Sequence, residues 1–233
     1  MSQPPASGPA KAAYVRALFG RIVGRYDLMN DLMTAGRHRA WRRWAVAIAR
    51  ADGALALDIG TGTGDFALEL VRQGATRVVA TDFVEPMVRA ARGKTPAAGI
   101  IDVAVGDALK LPFADQTFDC LASGFLIRNV ADAAAAFREM YRVLKPGGRI
   151  VCLETSRPRT LHGRALISGF GVGARVLGTL VAGDSKAYGY LPSSTARFAD
   201  ADELAELMEE SGFSSVRYRS ISLGLAAIHS GIK

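Results

Sequence analysis

The nine residues Leu57-Asp58-Ile59-Gly60-Thr61-Gly62-Thr63-Gly64-Asp65 constrain this chain more than any others. The apolar run from Ala54 to Ile59 predicts a short, buried parallel strand. Behind the glycines, Phe66, Ala67, Leu70 and Val71 recur at helical spacing. A strand, a glycine turn and a helix in that order form a cradle for a ligand. The glycines let the backbone turn tightly and approach a ligand with no Cβ in the way. The helix start offers N–H groups that have no partner within the helix.

Two ligand classes use such a turn. A dinucleotide site asks for G-x-G-x-x-G. Here the third glycine comes one residue early, at Gly64, and Asp65 stands where that pattern wants glycine. The G-x-G-x-G form with Asp58 just ahead of it looks like the first motif of S-adenosylmethionine methyltransferases. An acid should then close the next strand and hold ribose hydroxyls. Arg77 to Ala80 is strand-like, and Asp82 follows it, twenty residues past Gly62. Acid spacing alone does not separate the two classes, because dinucleotide sites place an acid at a similar distance. The glycine spacing decides for S-adenosylmethionine.

A length of 233 residues sets one domain as the prior. The formal net charge of +7 is concentrated at one end: residues 1–50 hold nine Lys or Arg against two Asp, and the rest cancels. Such an end suits an anionic membrane surface or nucleic acid, and equally a solvated basic face. The stretch carries no nucleic-acid-binding motif, so no nucleic-acid partner is expected. The rival reading of a nucleic-acid-binding module would require salt-steep RNA binding without turnover. Cys120 and Cys152 both fall in strand-like apolar runs and read as buried thiols in a reducing compartment. His38, His162 and His229 are scattered, and no cluster has metal-ligand spacing. No signal peptide and no bilayer-length apolar span is apparent. The expected location is cytoplasmic, with peripheral contact at the inner face of the membrane left open.

Residues 1–12 are small and proline-bearing and read as a disordered tail, followed by one domain over 13–233. Tyr14 to Ile22 is patterned as a helix. In Arg37 to Arg50, Trp41, Trp44 and Ile48 share a helical face, with Arg39, Arg42, Arg43 and Arg50 away from it. From residue 54, strands are expected near 54–60, 77–82, 101–106, 118–124 and 149–155. Helices are expected near 64–73, 85–93 and 131–143. Lys145-Pro146-Gly147-Gly148 reads as a helix stop and tight turn. The alternation implies a parallel sheet covered on both faces. Ala201–Ser211 is a further amphipathic helix, and 214–222 with 224–231 form a hairpin-like closing pair.

Several of these segments together resemble the UbiE/COQ5/MenG family of S-adenosylmethionine-dependent C-methyltransferases of quinone biosynthesis. Tyr26-Asp27-Leu28-Met29-Asn30 with His38 and Trp41 is similar to the family's first signature, with Thr34 where serine is usual. Gly124 to Val130 resembles its F-G-L-R-N-V element, with Leu126 replacing glycine. Arg142 to Gly148 is similar to the second signature, and Ile228 to Lys233 to the C-terminal L-H-R-G-Y-K. The likeness runs from about Phe19 to Lys233. It implies an α/β, Rossmann-like class I methyltransferase fold with a seven-stranded, mostly parallel sheet and helices on both faces. It also implies an N-terminal helical segment over 13–50 that covers the substrate, and a helical insertion over the active site at 157–200.

Carried over residue by residue, the resemblance implies that Asp58, Gly60, Gly62 and Thr63 hold the methionine end of S-adenosylmethionine. Asp82 would accept from the ribose, and Asp107 and Ala108 would meet the adenine. Gly124 stands where the family often has serine. The implied acceptor is a ring carbon of a polyprenylated quinol: demethylmenaquinol, or the 2-polyprenyl-6-methoxy-1,4-benzoquinol of the ubiquinone pathway. Another small-molecule acceptor on the same scaffold is the further alternative. A ring carbon becomes nucleophilic once a neighbouring hydroxyl loses its proton. Arg128 is the candidate to stabilise that charge, with Asn129 and Tyr26 orienting the ring hydroxyls. Asp27, Asp31 and His38 are candidate bases, or else cap helices and bond locally. Residues 160–183 carry a stripe of Arg164, Ser168, Gly171 and Arg175 beside a broad apolar side. That pattern suits a membrane interface, a greasy channel, a core helix or a homodimer face.

Overall fold

In the computed structural model, which describes residues 5, 7–95, 99–159, 163, 169, 173, 179 and 185–233, the glycine turn links the central strand to its helix. Helices α1 (Gly8–Ile22), α2 (Tyr26–Thr34) and α3 (Arg37–Ala49) come first. Then follow β1 (Leu55–Ile59), α4 (Asp65–Arg72), β2 (Arg77–Asp82), α5 (Glu85–Lys94), β3 (Ile101–Val105), β4 (Phe118–Gly124), α6 (Ala133–Val143) and β5 (Leu144–Thr155). The chain closes with α7 (Ser185–Arg197), α8 (Ala201–Glu210), β6 (Ser214–Ile221) and β7 (Ala226–Ile232).

The strands form one sheet in the order β3-β2-β1-β4-β5-β7-β6. All neighbours are parallel except β7, which runs antiparallel to both β5 and β6. The order reverses between β1 and β4, and ligands of open α/β sheets bind at the strand ends beside such a switch. Side chains alternate across β1. Ala56 joins Ala45, Val46, Ala49, Ala67 and Ala122 on one face. Leu57 and Ile59 join Phe118, Phe137 and Met140 on the other. The small residues on the first face let α3 and α4 approach the sheet closely. A third, separate cluster of Val15, Leu18, Ile22 and Met29 belongs to the N-terminal helices and takes in Tyr190 of α7.

Three expectations are corrected. Residues 8–12 are helical, because α1 starts at Gly8 after an extended Ser7. Pro9 lies in the first helical turn, where proline is tolerated, and the alanines behind it favour helix. Secondly, β5 takes in Lys145 to Gly148, since Gly147 N–H donates to Lys233 O and Lys233 N–H to Gly148 O. The departure from regular pairing survives as a register shift opposite Phe118 and Cys120. Thirdly, α3 buries Ala45, Val46 and Ala49 together with Arg42, while Trp44 and Ile48 are exposed. Arg42 goes inside because His38 and Asp65 receive its guanidinium. The remaining strand and helix positions agree with the sequence reading to within a few residues. Both cysteines are free and buried, and burial pushes each thiol up to about 12. The stripe of Arg164, Ser168, Gly171 and Arg175 lies outside the described residues.

Candidate active site

The site is built on Asp58, which is fully buried beneath the turn. Its Oδ2 accepts from Thr61 Oγ1 (2.6 Å) and from Ala67 N–H (2.9 Å) in the first turn of α4. Burial, the largest influence, raises its pKa to about 7. Gly60 and Thr61 N–H both donate to Thr81 O, and Gly62 N–H donates to Asp82 Oδ2 at 2.8 Å. The turn is thereby fastened to the end of β2. Gly60, Gly62 and Gly64 all have positive φ (69°, 56° and 92°). A Cβ at Gly60 would in addition lie 2.8 Å from Leu126 Cδ1. Asp58 supports the turn from below and does not face a cavity.

Above the turn lies a cavity of about 100 Å³ lined by Gly60, Gly62, Asp82, Asp107, Ala108 and Gly124, among others. It collects most of the residues expected to hold the donor. Asp82 Oδ1 accepts from Val84 N–H at 2.8 Å, so the carboxylate is fixed by two backbone donors with lone pairs to spare. Burial raises its pKa. Asp107 Oδ1 accepts from Leu109 N–H (2.9 Å), which orders the loop that also presents Ala108. These acceptors, a bare glycine backbone and an apolar floor fit a nucleoside with its ribose on Asp82. Val15, Phe19 and Tyr26 of the N-terminal helices line the same cavity.

Thr63 is placed differently from expectation. It lines neither this cavity nor its neighbour, and its hydroxyl donates to Asp27 Oδ1 at 2.5 Å. Asp27 Oδ2 receives Lys94 Nζ at 2.9 Å, and Lys94 also bonds Asp65. These side chains tie α2 to the glycine turn and to α5. At Gly124 a larger side chain is excluded for a visible reason: the Phe66 ring fills its place, with Cδ2 2.8 Å from where a Cβ would stand.

A larger cavity of about 490 Å³ adjoins the first, and the two share Phe19, Tyr26 and Phe125. Its walls include Met33, Trp41, Pro192, Leu223 and Leu225, with Arg128, Thr155 and Thr195 as polar members. Arg128 is buried and its Nη1 is paired with Glu154. Asn129 lines the smaller cavity. Its Nδ2 donates to Phe125 O (2.8 Å) and its Oδ1 accepts from the Tyr190 hydroxyl (3.1 Å). Burial lifts the Tyr26 phenol above its ordinary value. The described part of the expected insertion, α7, supplies Tyr190, Pro192 and Thr195.

The candidate bases are all engaged elsewhere. His38 lines the larger cavity, but its Nε2–H donates to Asp31 Oδ1 (2.7 Å) and its Nδ1 accepts from Arg42 Nη1. Arginine can only donate, so the tautomer is fixed and no ring lone pair is left for a substrate. Burial lowers the His38 pKa further. Asp31 is shared with Arg39, and Asp27 with Thr63 and Lys94. Glu154 is the residue that sequence reasoning passed over. Its signal was an acid directly behind the apolar run Ile150 to Leu153 of β5, which demands a buried partner. Among the described residues no cluster of His, Cys, Asp or Glu could hold a metal ion.

The model of the ubiE/COQ5 methyltransferase family matches residues 8–233. The chain belongs to that family. It is 48% identical over 233 residues to a demethylmenaquinone methyltransferase of Roseiflexus castenholzii, covering 96% of this chain and 94% of the relative. It is 44% identical over 227 residues to a ubiquinone/menaquinone biosynthesis C-methyltransferase of Desulfotalea psychrophila, covering 96% and 92%. Among solved structures, an S-adenosylmethionine-dependent methyltransferase from Thermotoga maritima superimposes with a TM-score of 0.69 at 23% identity, over 94% of this chain and 99% of that one. A second, from Aquifex aeolicus, gives 0.57 at 20%, over 80% and 86%. These likenesses establish the Rossmann-like class I methyltransferase fold, and S-adenosylmethionine is the methyl donor of this enzyme.

Two outcomes test the local chemistry. The raised pKa of Asp58 gives a contribution to stability that is complete below the ordinary aspartate value of 3.8 and lost as pH rises through about 7. Asp58→Asn removes this dependence. Thermal melts across that range should show the stability difference moving toward the variant by about 1.4 kcal/mol per pH unit. Gly124→Ser should destabilise by about 1–3 kcal/mol through overpacking against Phe66. Adding Phe66→Leu should recover most of the loss in urea unfolding.

Proposed function

We propose that this enzyme transfers a methyl group from S-adenosylmethionine to a ring carbon of a polyprenylated quinol, with demethylmenaquinol as the leading substrate. The observation that carries the reading is the junction of two cavities at Tyr26, Phe19 and Phe125, the larger one apolar and walled by a buried arginine. The names of the relatives support the substrate class and cover both the menaquinone and ubiquinone pathways.

The donor supplies an activated methyl on a sulfonium, so the protein's task is positioning and charge. Asp82 holds the ribose, and Asp107 with the Ala108 N–H holds the adenine. Asp58 keeps the turn beneath them in shape. The Arg128 guanidinium stabilises negative charge on a ring oxygen, which raises the nucleophilicity of the adjacent carbon. Arg128 stays protonated and is no base. With Asp27, Asp31 and His38 committed to other partners, the ring proton passes to water in the cavity. Tyr26, protonated through burial, donates to a ring oxygen at the boundary between the cavities. Asn129, held by Phe125 O and Tyr190, keeps one Nδ2 hydrogen for the same purpose. Holding carbon and methyl in line supplies much of the acceleration.

The prenyl tail leaves through the apolar walls at Leu223 and Met33. Leu223 is 70% exposed, and Leu28 and Leu32 are exposed on the outer face of α2. With the basic N-terminal segment, these residues favour peripheral contact with an anionic membrane, worth about 1 kcal/mol per basic residue at the surface. No helix among the described residues is long and apolar enough to cross a membrane.

Arg128→Gln should lower kcat by about 10²- to 10³-fold and leave S-adenosylmethionine affinity unchanged. The readout is labelled methyl transfer to demethylmenaquinol and to the methoxybenzoquinol, analysed by mass spectrometry. Full activity of the variant, or no transfer to either quinol by the native enzyme, would remove the reading.

A further inference from the structure

We infer that Glu154 is a positioning residue that aims Arg128 into the larger cavity and sets how much positive charge it shows the ring oxygen; this rests on the quinol reading above. Glu154 is fully buried in β5 and does not itself line either cavity. It grips residue 128 twice: Oε1 receives Arg128 Nη1, and Oε2 receives the Arg128 backbone N–H at 3.3 Å. Thr155 fastens the carboxylate in turn, through its N–H (2.7 Å) and hydroxyl (3.3 Å) to Oε1. The Thr155 hydroxyl accepts from Thr195 Oγ1 at 3.1 Å, which ties the pair to α7.

One nitrogen is left over. Arg128 Nε is buried and has no hydrogen-bond partner among the described residues. It is closed off from the cavity as well as from water, and a buried N–H left unpaired is unfavourable; a turn of the guanidinium toward an anionic oxygen in the cavity would relieve it. Glu154 therefore holds the guanidinium by Nη1, while the residue it grips lines the larger cavity. The carboxylate also cancels part of the cation's field. Other titratable groups around the pair are Lys11 from α1, Tyr26 from α2, Arg197 and Tyr190 from α7, His229 from β7 and Cys152 from β5. Of these, Lys11 and Arg197 carry positive charge, so Glu154 is the one counter-charge named in this set.

The consequence can be measured. Glu154→Gln keeps the shape and removes the negative charge, so Arg128 acts on the ring hydroxyl unopposed. Below its pKa the hydroxyl keeps its proton, so activity falls on the acid side. The acid limb of kcat should move to lower pH by about 1 unit. The plateau should fall about tenfold or more as the guanidinium loses its fixed orientation. Glu154→Asp keeps the charge, so its limb should stay at the native pH while its plateau falls.

The experiment is anaerobic turnover of the reduced quinol against pH for the native enzyme, Glu154→Gln, Glu154→Asp and Arg128→Gln. S-adenosylmethionine affinity, measured by calorimetry, reports folding and should be unchanged in all of them. An unmoved limb in a folded Glu154→Gln enzyme overturns the charge-setting role. If that variant does not fold, Glu154→Asp carries the test: a lowered plateau at the native limb supports the inference, and a native plateau overturns it. A fully active Arg128→Gln enzyme defeats the quinol mechanism itself. An inactive Arg128→Gln beside a native-like Glu154→Gln defeats only the role of Glu154.

Discussion

A carboxylate sealed from water under a glycine turn is the constraint on which the other features rest. Asp58 binds the Thr61 hydroxyl and the Ala67 N–H at once, so the turn and the first turn of α4 are fixed against each other. The same turn donates to Thr81 O and Asp82 Oδ2, which sets the end of β2. Asp82 is held at the cavity because the loop beside it cannot relax. Keeping an acid in such a place is unfavourable, as its raised pKa records. The two hydrogen bonds to its Oδ2 offset part of that cost.

The N-terminal helices are attached in a different way. Their apolar cluster is small, and the polar links from Asp27 to Thr63 and Lys94 are partly exposed. Exposed ion pairs contribute little, about 0–1 kcal/mol each. Helices α1 and α2 are therefore joined to the sheet less firmly than α3, which packs Ala45, Val46 and Ala49 into the main core. The larger cavity draws on the same helices α1 and α2 and adds α3, α7 and the turn before β7, so its walls come from segments far apart in sequence.

The sheet and its helices were legible in the sequence because periodicity reports burial directly. That Asp82, Asp107 and Ala108 come together at one cavity was legible because they sit at or just past the ends of β2 and β3. Burial of Arg42 and the committed state of His38 were not, because each depends on Asp65 and Asp31 meeting them across separate helices. The Thr63 hydroxyl lies on Asp27, 36 residues away in sequence, a contact that no local pattern announces. Glu154 could have been found by asking what an acid does directly behind the apolar run Ile150 to Leu153 of β5. The helical start at Gly8 was hidden by a proline whose position in the first turn is harmless.

The central claim is that donor and ring occupy adjoining cavities that meet at Tyr26. A crystal structure of the enzyme with S-adenosylhomocysteine and a short-chain naphthoquinol tests it most directly. The account predicts the ribose on Asp82, the ring between Tyr26 and Phe125, and a ring oxygen within hydrogen-bonding distance of Arg128. A ring bound elsewhere, with Arg128 still enclosed by Glu154 and remote from any quinol oxygen, would contradict it.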